Sequence, residues 1–311
     1  MAVRREPVLA RVLQDGTRLL VVLAMSGSLL AVLRRLPDYF AGSVLVATQI
    51  ATFFVVPLVV LAVLRELVPR PHAGAHRIGK NREYVTWLLS SALAEVGLHP
   101  VLRGPFWFFH FTRVLYLRAL RSHVAWSAAI PYDLCLREPS LLTVGEGAQL
   151  EPGVTIEAGL HGAGRVRIGR VTVGKGVLVG AHAVLLPGAT LGHDARVEPS
   201  AFVGEDVKVG VSAAVGEGAR LEREVDLGSY TAVGTGAIVG EGVRVGDRAR
   251  IAAGAVVEPG TVIGERELWA GVPARRMEAD RAALPDFSED PDDTEIVLGR
   301  RKRPRTSSVT L

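Results

Sequence analysis

Eight histidines and one cysteine are the residues of this 311-residue chain best suited to move protons or attack carbonyls. An imidazole titrates near neutral pH, so a histidine held on a loop can take a proton from a hydroxyl or amine and later return it. His161 is the foremost candidate, because the segment His161-Gly-Ala-Gly-Arg165 interrupts an otherwise continuous sequence period. His182 and His193 fall inside the periodic region, at different positions of their repeats, and His110 lies among aromatics. A zinc hydrase needs three histidines converging on the metal with a fourth position open. The spacing of His161, His182 and His193 does not suit that, so no metal is expected. His182 and His193 are read as ordinary exposed residues, with His182 also able to line a donor groove. Cys135 is the only cysteine, which excludes an intrachain disulfide and a cysteine metal cluster. It is expected to be a buried, inert thiol.

The elements that must position His161 announce themselves as a period of six. Every sixth residue from Val173 to Ile263 is aliphatic (Val173, Val179, Leu185, Leu191, Val197, Val203 and onward), sixteen positions in all. Eleven of the sixteen residues that follow them are glycine. Four positions after each aliphatic comes a small or β-branched residue such as Val177, Ala183 or Ala189. Neither a helix nor a simple strand has this period. A three-sided coil does: each short strand sends one aliphatic inward, and the chain then turns a corner where glycine tolerates unusual backbone angles. An earlier block in a shifted frame holds Val144, Leu150, Ile156 and Ile168. The two frames predict an all-β left-handed parallel β-helix of about seven triangular coils, over residues 141–277. His161 sits where the frame breaks between Ile156 and Ile168, so a loop is expected to leave the wall there. Loops on rigid scaffolds are where function gathers.

Ahead of the coils the chain reads as a membrane protein. Ala41 to Leu64 is an unbroken uncharged run, long enough to cross a bilayer, with Pro57 inside it. Leu19 to Leu33 is a shorter uncharged run between Arg18 and Arg34. We expect an α-helical membrane hairpin over 1–70, with a helical, interfacial connector over 71–140. Arginines crowd both flanks of the hairpin more than its short connection, which places both termini, and the β-helix with them, on the cytoplasmic side of the cell (inner) membrane. In the connector, Phe106, Trp107, Phe108, Phe109, Phe111 and Tyr116 are interleaved with Arg103, Arg113 and Arg118. That pattern suits either a lipid headgroup layer or an ordinary packed helix, and both readings stand. Residues 278–311 run from acidic to basic and are expected to be a disordered tail. The net charge of +4 is mild and its basic residues cluster in the first half and at the extreme C-terminus, which argues against nucleic-acid binding.

The repeats resemble those of the hexapeptide-repeat acyltransferase superfamily. The stretch from His161 through Ile168-Gly169 and VTVGKGVLVGAHAVLLPGATLG is similar to the catalytic segment of galactoside and maltose O-acetyltransferases. Trp269-Ala-Gly-Val272-Pro273-Ala-Arg275 resembles an exit motif that those enzymes share with γ-class carbonic anhydrases. The close pair of histidines of the latter is absent. The layout of roughly residues 40–200 also resembles the membrane-bound C-terminal region of polylysine-synthetase-type nonribosomal peptide synthetases. The resemblance implies acyl-CoA, most simply acetyl-CoA, as donor, a homotrimer, and His161 as the catalytic base. It places the donor-binding positions at Gly180, Ala181 and His182, and at Ala253 by alignment on the exit motif or Pro199 by direct count. Backbone N–H groups at glycine corners such as Gly180 are candidate oxyanion donors. The function that follows is a membrane-anchored transferase moving an acetyl or other acyl group to a hydroxyl or amine, with a lipid-linked or polymeric acceptor suggested by the membrane attachment. The alternative is a non-catalytic β-helix scaffold at the membrane.

Overall fold

The computed structural model describes residues 55–56, 59–60, 62–69, 71–77, 82–98, 107, 109–162 and 165–277. The run Leu19–Leu33, most of Ala41–Leu64 and the tail 278–311 lie outside them. Among the described residues no helix is long and apolar enough to cross a membrane. The chain divides into two compact units, the first formed by 1–147, 155–172 and 186–188, the second by 148–154, 173–185 and 189–311.

The second unit is a parallel β-solenoid. It begins at β5 (Gln149–Leu150), and fifteen two-residue strands then follow at a constant interval of six, from β10 (Leu178–Val179) to β24 (Val262–Ile263). Until the array ends, each pairs in parallel with the strand three places further on, as Leu178 does with Arg196 and Val179 with Val197. One of its sheets holds eight strands. In each strand the second residue points inward. The sixteen aliphatics of the sequence row are all at most 5% exposed, and the small row four positions later is buried from Val177 to Ala255, with only Thr261 half-buried. Each of the two rows thus stacks as three columns, one per wall, that fill the interior, and the hydrophobic effect acts along the whole axis. The unit closes with an antiparallel hairpin, β25 (Leu268–Gly271) and β26 (Ala274–Met277), whose turn carries a cis Val272–Pro273 bond.

The role of the glycines differs from the expected one. The glycine after each aliphatic is not the residue with the unusual backbone angle. A Cβ on Gly180 would lie 2.5 Å from Pro199 N, and one on Gly192 would lie 2.8 Å from the Gly210 carbonyl carbon. These glycines are required because the next coil passes too close for any side chain. The left-handed backbone falls two positions later, at Gly176, His182, Gly188, Asp194, Ser200 and their successors, many of which are not glycine.

The first unit combines helices with its own rungs. β1 spans Gly74–Arg77, α1 spans Arg82–Gly97 and α2 spans His110–Ala119. Tyr84, Trp87, Leu88, Ala92, Leu93 and Val96 form the buried face of α1, at helical spacing. β2 (His123–Val124) pairs in parallel with β4 (Leu142–Val144), and β3 (Cys135–Arg137) with β6 (Thr155–Glu157). Parallel pairing therefore starts upstream of residue 141, and the turns number about eight rather than seven because of the β2 rung. Cys135 is exposed, not buried. Strand alternation explains it: β3 turns Leu136 inward, at 7% exposure, and leaves its two neighbours outside.

Candidate functional site

His161 lies in β7 (Gly159–Gly162), which turns back into β8 (Arg165–Ile168). The frame break is thus an antiparallel hairpin, and β1 joins it on the far side of β8 to make a three-stranded sheet, β1-β8-β7. The register sets His161 opposite Val166, and Val166 opposite His76. Directly opposed residues share a face, so the two histidines flank a fully buried Val166. His76 Nε2 donates to the His72 carbonyl at 3.0 Å. Alternation turns the exposed Arg165 and half-buried Arg167 to the other face.

The His161 side chain is exposed, and one edge of its ring is held. The Trp87 indole of α1 meets it edge-on, with ring centroids 4.8 Å apart and planes at 70°. Trp87 itself is 3% exposed and stacks obliquely on Tyr84 at 5.9 Å. Its Nε1 is buried with no hydrogen-bond partner, and would lie 3.2 Å from a Cβ on Gly159. Glycine at 159 therefore lets the strand descend onto the indole. The same hypothetical Cβ would lie 3.5 Å from Glu138 Cγ, so a carboxyl group sits under this strand as well.

Glu138 is 3% exposed and its carboxyl is pushed up to about 7, above all by burial. Hydrogen bonds from Ser91 and Ser90 and the charge of Arg65 pull the other way, and Glu95 adds to the rise. Ser90 ties the layer together: its hydroxyl donates to Glu138 Oε2 at 3.5 Å, and its carbonyl accepts from Arg65 Nη2 at 3.2 Å. Arg65 also donates to the Leu120 carbonyl, and burial lowers its pKa to about 10, which leaves the guanidinium charged. The chemistry available here is that of an accessible imidazole, clamped on one edge and backed by a buried carboxyl–guanidinium layer.

The residues expected to bind a donor, Gly180, Ala181, His182 and Ala253, all belong to the second unit. The Gly180 N–H donates to the Val197 carbonyl at 2.7 Å, so the sheet ladder has taken the proposed oxyanion donor. The Ala181 N–H donates to Glu151 Oε2 at 2.8 Å. His182 is exposed and left-handed, with φ 58°, and its N–H donates to the Pro152 carbonyl at 3.1 Å. Its ring covers Gly153, where a Cβ would come within 2.3 Å of Nδ1. Pro199 is half-buried on the corner that also carries Ala181: Ser200 N donates to the Ala181 carbonyl, and Gly218 N to that of Pro199. The same ladder continues through Glu217 and Thr235 to Gly254, beside the exposed Ala253. Ala181 and Ala253 therefore share a corner, four turns and roughly 19 Å apart at the spacing of paired strands.

His193 Nδ1 accepts from the Lys175 N–H at 3.1 Å. Among the described residues no group of three His, Cys, Asp or Glu side chains is placed to hold a metal ion. In the closing hairpin Glu267 accepts from Trp269 Nε1 and from the Gly264 N–H, both at 2.9 Å. These bonds, led by that of Trp269, hold its carboxyl below the usual range. Arg275 pairs with Glu258 at 2.8 Å.

Sequence reasoning singled out His161 but neither Trp87 nor Glu138, which lie against its strand. Trp87 carried no usable signal, because its partner lies on a distant stretch of the chain. Glu138 had a faint one, as an acid set in the apolar surroundings of Leu134, Leu136, Leu141 and Leu142.

Residues 170–198 and 231–259 match a family model described as the hexapeptide repeat of succinyl-transferase. No curated protein matches the chain. Among solved structures, it is similar to a mutant of perosamine N-acetyltransferase from Caulobacter crescentus in complex with CoA and GDP-perosamine (22% identity, 55% of this chain, 67% of that one, TM-score 0.30). It is similar also to the acetyltransferase domain of PglB from Neisseria gonorrhoeae in complex with acetyl coenzyme A (18% identity, 54% of this chain, 66% of that one, TM-score 0.28). A third is the UDP-N-acetylglucosamine acyltransferase of Francisella novicida (17% identity, 57% of this chain, 76% of that one, TM-score 0.34). The chain spans about two thirds of the length of the first two. By its own strand pairing the fold is a parallel solenoid matching the left-handed β-helix.

Proposed function

We propose that this chain is a membrane-anchored acyltransferase that moves an acetyl or other acyl group from coenzyme A to a hydroxyl or amine, with His161 as general base. The observation that carries this reading is the placement of His161: an exposed imidazole on the hairpin that breaks the repeats, fixed at one edge by a buried indole. The match of the repeats to those of succinyl-transferase supports acyl transfer as the reaction. In the reaction, the imidazole takes the proton of the acceptor O–H or N–H as that atom bonds to the thioester carbonyl carbon. The C–S bond then breaks, and the departing thiolate takes the proton back from the imidazolium. Because the Gly180 amide is engaged in the ladder, the oxyanion donor lies elsewhere.

The acceptor is lipid-linked or polymeric in this reading, and the solenoid stands on the cytoplasmic side of the membrane as part of a homotrimer. The uncharged run Ala41–Leu64, bordered by arginines, supports the anchoring. The test uses the full chain in detergent. Calorimetry with acetyl-CoA should show binding to the wild type and to His161→Ala alike, while His161→Ala abolishes the acylated product in cells. Loss of binding in both proteins would favour the scaffold reading, and an unchanged product would remove His161 from the base role. Light scattering that gives a monomer mass would remove the trimer.

A further inference from the structure

α2 divides its aromatic segment in two. Arg113, Val114, Tyr116 and Leu117 are buried, and Trp107 packs edge-on against Tyr116 at 6.3 Å. The opposite side is left bare. Phe111 is 62% exposed, Leu115 39% and Trp126 45%, and Phe109 at the helix start is 63%. Phe111 and Leu115 stand one helical turn apart and share a helix face. Trp126, from the loop after β2, stacks on Phe111 with centroids 5.2 Å apart and planes at 15°. The Arg118 guanidinium lies over the Trp126 ring at 4.4 Å, and its Nε donates to the Val124 carbonyl at 2.8 Å. The result is a fixed plate of aromatic rings with a cation held on it, rather than a set of loose surface side chains.

Two further observations decide what covers this plate. Between Glu95 and Asp133 the sequence has no acidic residue; of the arginines described there, Arg113 is buried and Arg121 pairs with Glu66, which leaves Arg118 as the cation presented with the plate. A second bare apolar face lies in the same unit: Val55, Val59, Val63 and Leu67, in helical residues, are 54%, 54%, 56% and 74% exposed, while Val60, Leu64 and Val68 pack against Leu93 and Val96. The spacing of four marks one helix side turned away from the protein, on the stretch where the uncharged run from Ala41 ends.

We infer that the Phe111–Leu115–Trp126 plate, with Arg118, beds into the headgroup layer of an anionic lipid bilayer. Amphipathic rings beside a cation suit that layer, where the ring body is apolar and the guanidinium meets phosphate. This rests on the membrane-anchored reading above and adds to it a second point of contact, which fixes how the first unit sits at the lipid surface.

The experiment uses the full chain incorporated into vesicles of phosphatidylcholine, with and without phosphatidylglycerol, whose acyl chains are brominated near the headgroup. Bromine quenches tryptophan on contact; of the other three tryptophans, Trp87 and Trp107 are buried at 3% and 6% exposure, and Trp269 is half-buried in the closing hairpin. The expected result is quenching of wild-type emission that Trp126→Leu largely removes, that Phe111→Glu weakens, and that is stronger with phosphatidylglycerol. A chain that incorporates but shows the same quenching in wild type and Trp126→Leu overturns the docking while leaving the anchor. A chain that washes off the vesicles overturns both. Unquenched Trp126 in an incorporated chain whose mass in detergent falls to the monomer on Phe111→Glu assigns the plate to a second copy and also overturns the inference.

Discussion

His161 owes its position to groups distant in sequence, and its chemistry can be separated from its placement by substitution. On the proposed reaction, replacing His161 with Ala removes the proposed base, and a fall in kcat of about 10²- to 10⁴-fold is the expected outcome. Trp87→Leu leaves the imidazole but frees its edge. Misplacement of a catalytic group costs on the order of 10² in rate, so kcat should fall by up to that factor with the KM for acyl-CoA unchanged. Glu138 makes a pH prediction. Its folded pKa of about 7 lies above the ordinary carboxylate value of 4.5, so the folded state prefers the protonated acid. Its contribution to stability is therefore full below pH 4.5 and is lost as pH rises through 7. Thermal melts of wild type should weaken across that window, and Glu138→Gln, neutral throughout, should flatten the dependence. Cys135, exposed on β3, should react with one equivalent of a thiol reagent in the native protein. That residue shows what a sequence conceals: a lone cysteine reads as buried by habit of its type, and only the pairing of β3 shows it on the outer side of the pleat.

At the scale of the strand and corner, the two kinds of glycine separate cleanly. Gly192→Ala forces a Cβ to within 2.8 Å of the Gly210 backbone in the neighbouring coil. Gly236, with φ 65°, has open space around it, and Tyr230 and Arg248 occupy the equivalent left-handed position elsewhere. Urea denaturation should find Gly192→Ala destabilised by about 1–3 kcal/mol, as for overpacking. Gly236→Ala should cost about 1 kcal/mol, the backbone penalty alone. The rows of aliphatic and small residues were fully legible in the sequence, because a period of six admits one way of pointing inward. The reason for the glycines was not, since it depends on what passes beside them one full turn later. The hairpin at His161 was legible as a break in frame, but its third strand, β1, was not. Gly74–Arg77 is a short strand that acquires its character only by pairing with β8.

Across the whole molecule, stability is shared between the repeats. Leu221 is fully buried, and Leu221→Ala should cost about 2–5 kcal/mol by the cavity it leaves. In a repeat array each turn contacts its neighbours, so the effect should appear in the solenoid core more than in the helical unit. Hydrogen exchange resolved by segment would show it. The constant offset of the pairing, the same for Leu178 with Arg196 as for Arg196 with Ala214, also has an evolutionary meaning. Excising residues 199–216 would join two chain ends already in matching phase, with every inward side chain still inward. The shortened protein should refold with its closing hairpin drawn in by roughly 4.8 Å. Length along the axis is thus a quantity that this architecture can change in whole units, by duplication or loss, without renegotiating its interior.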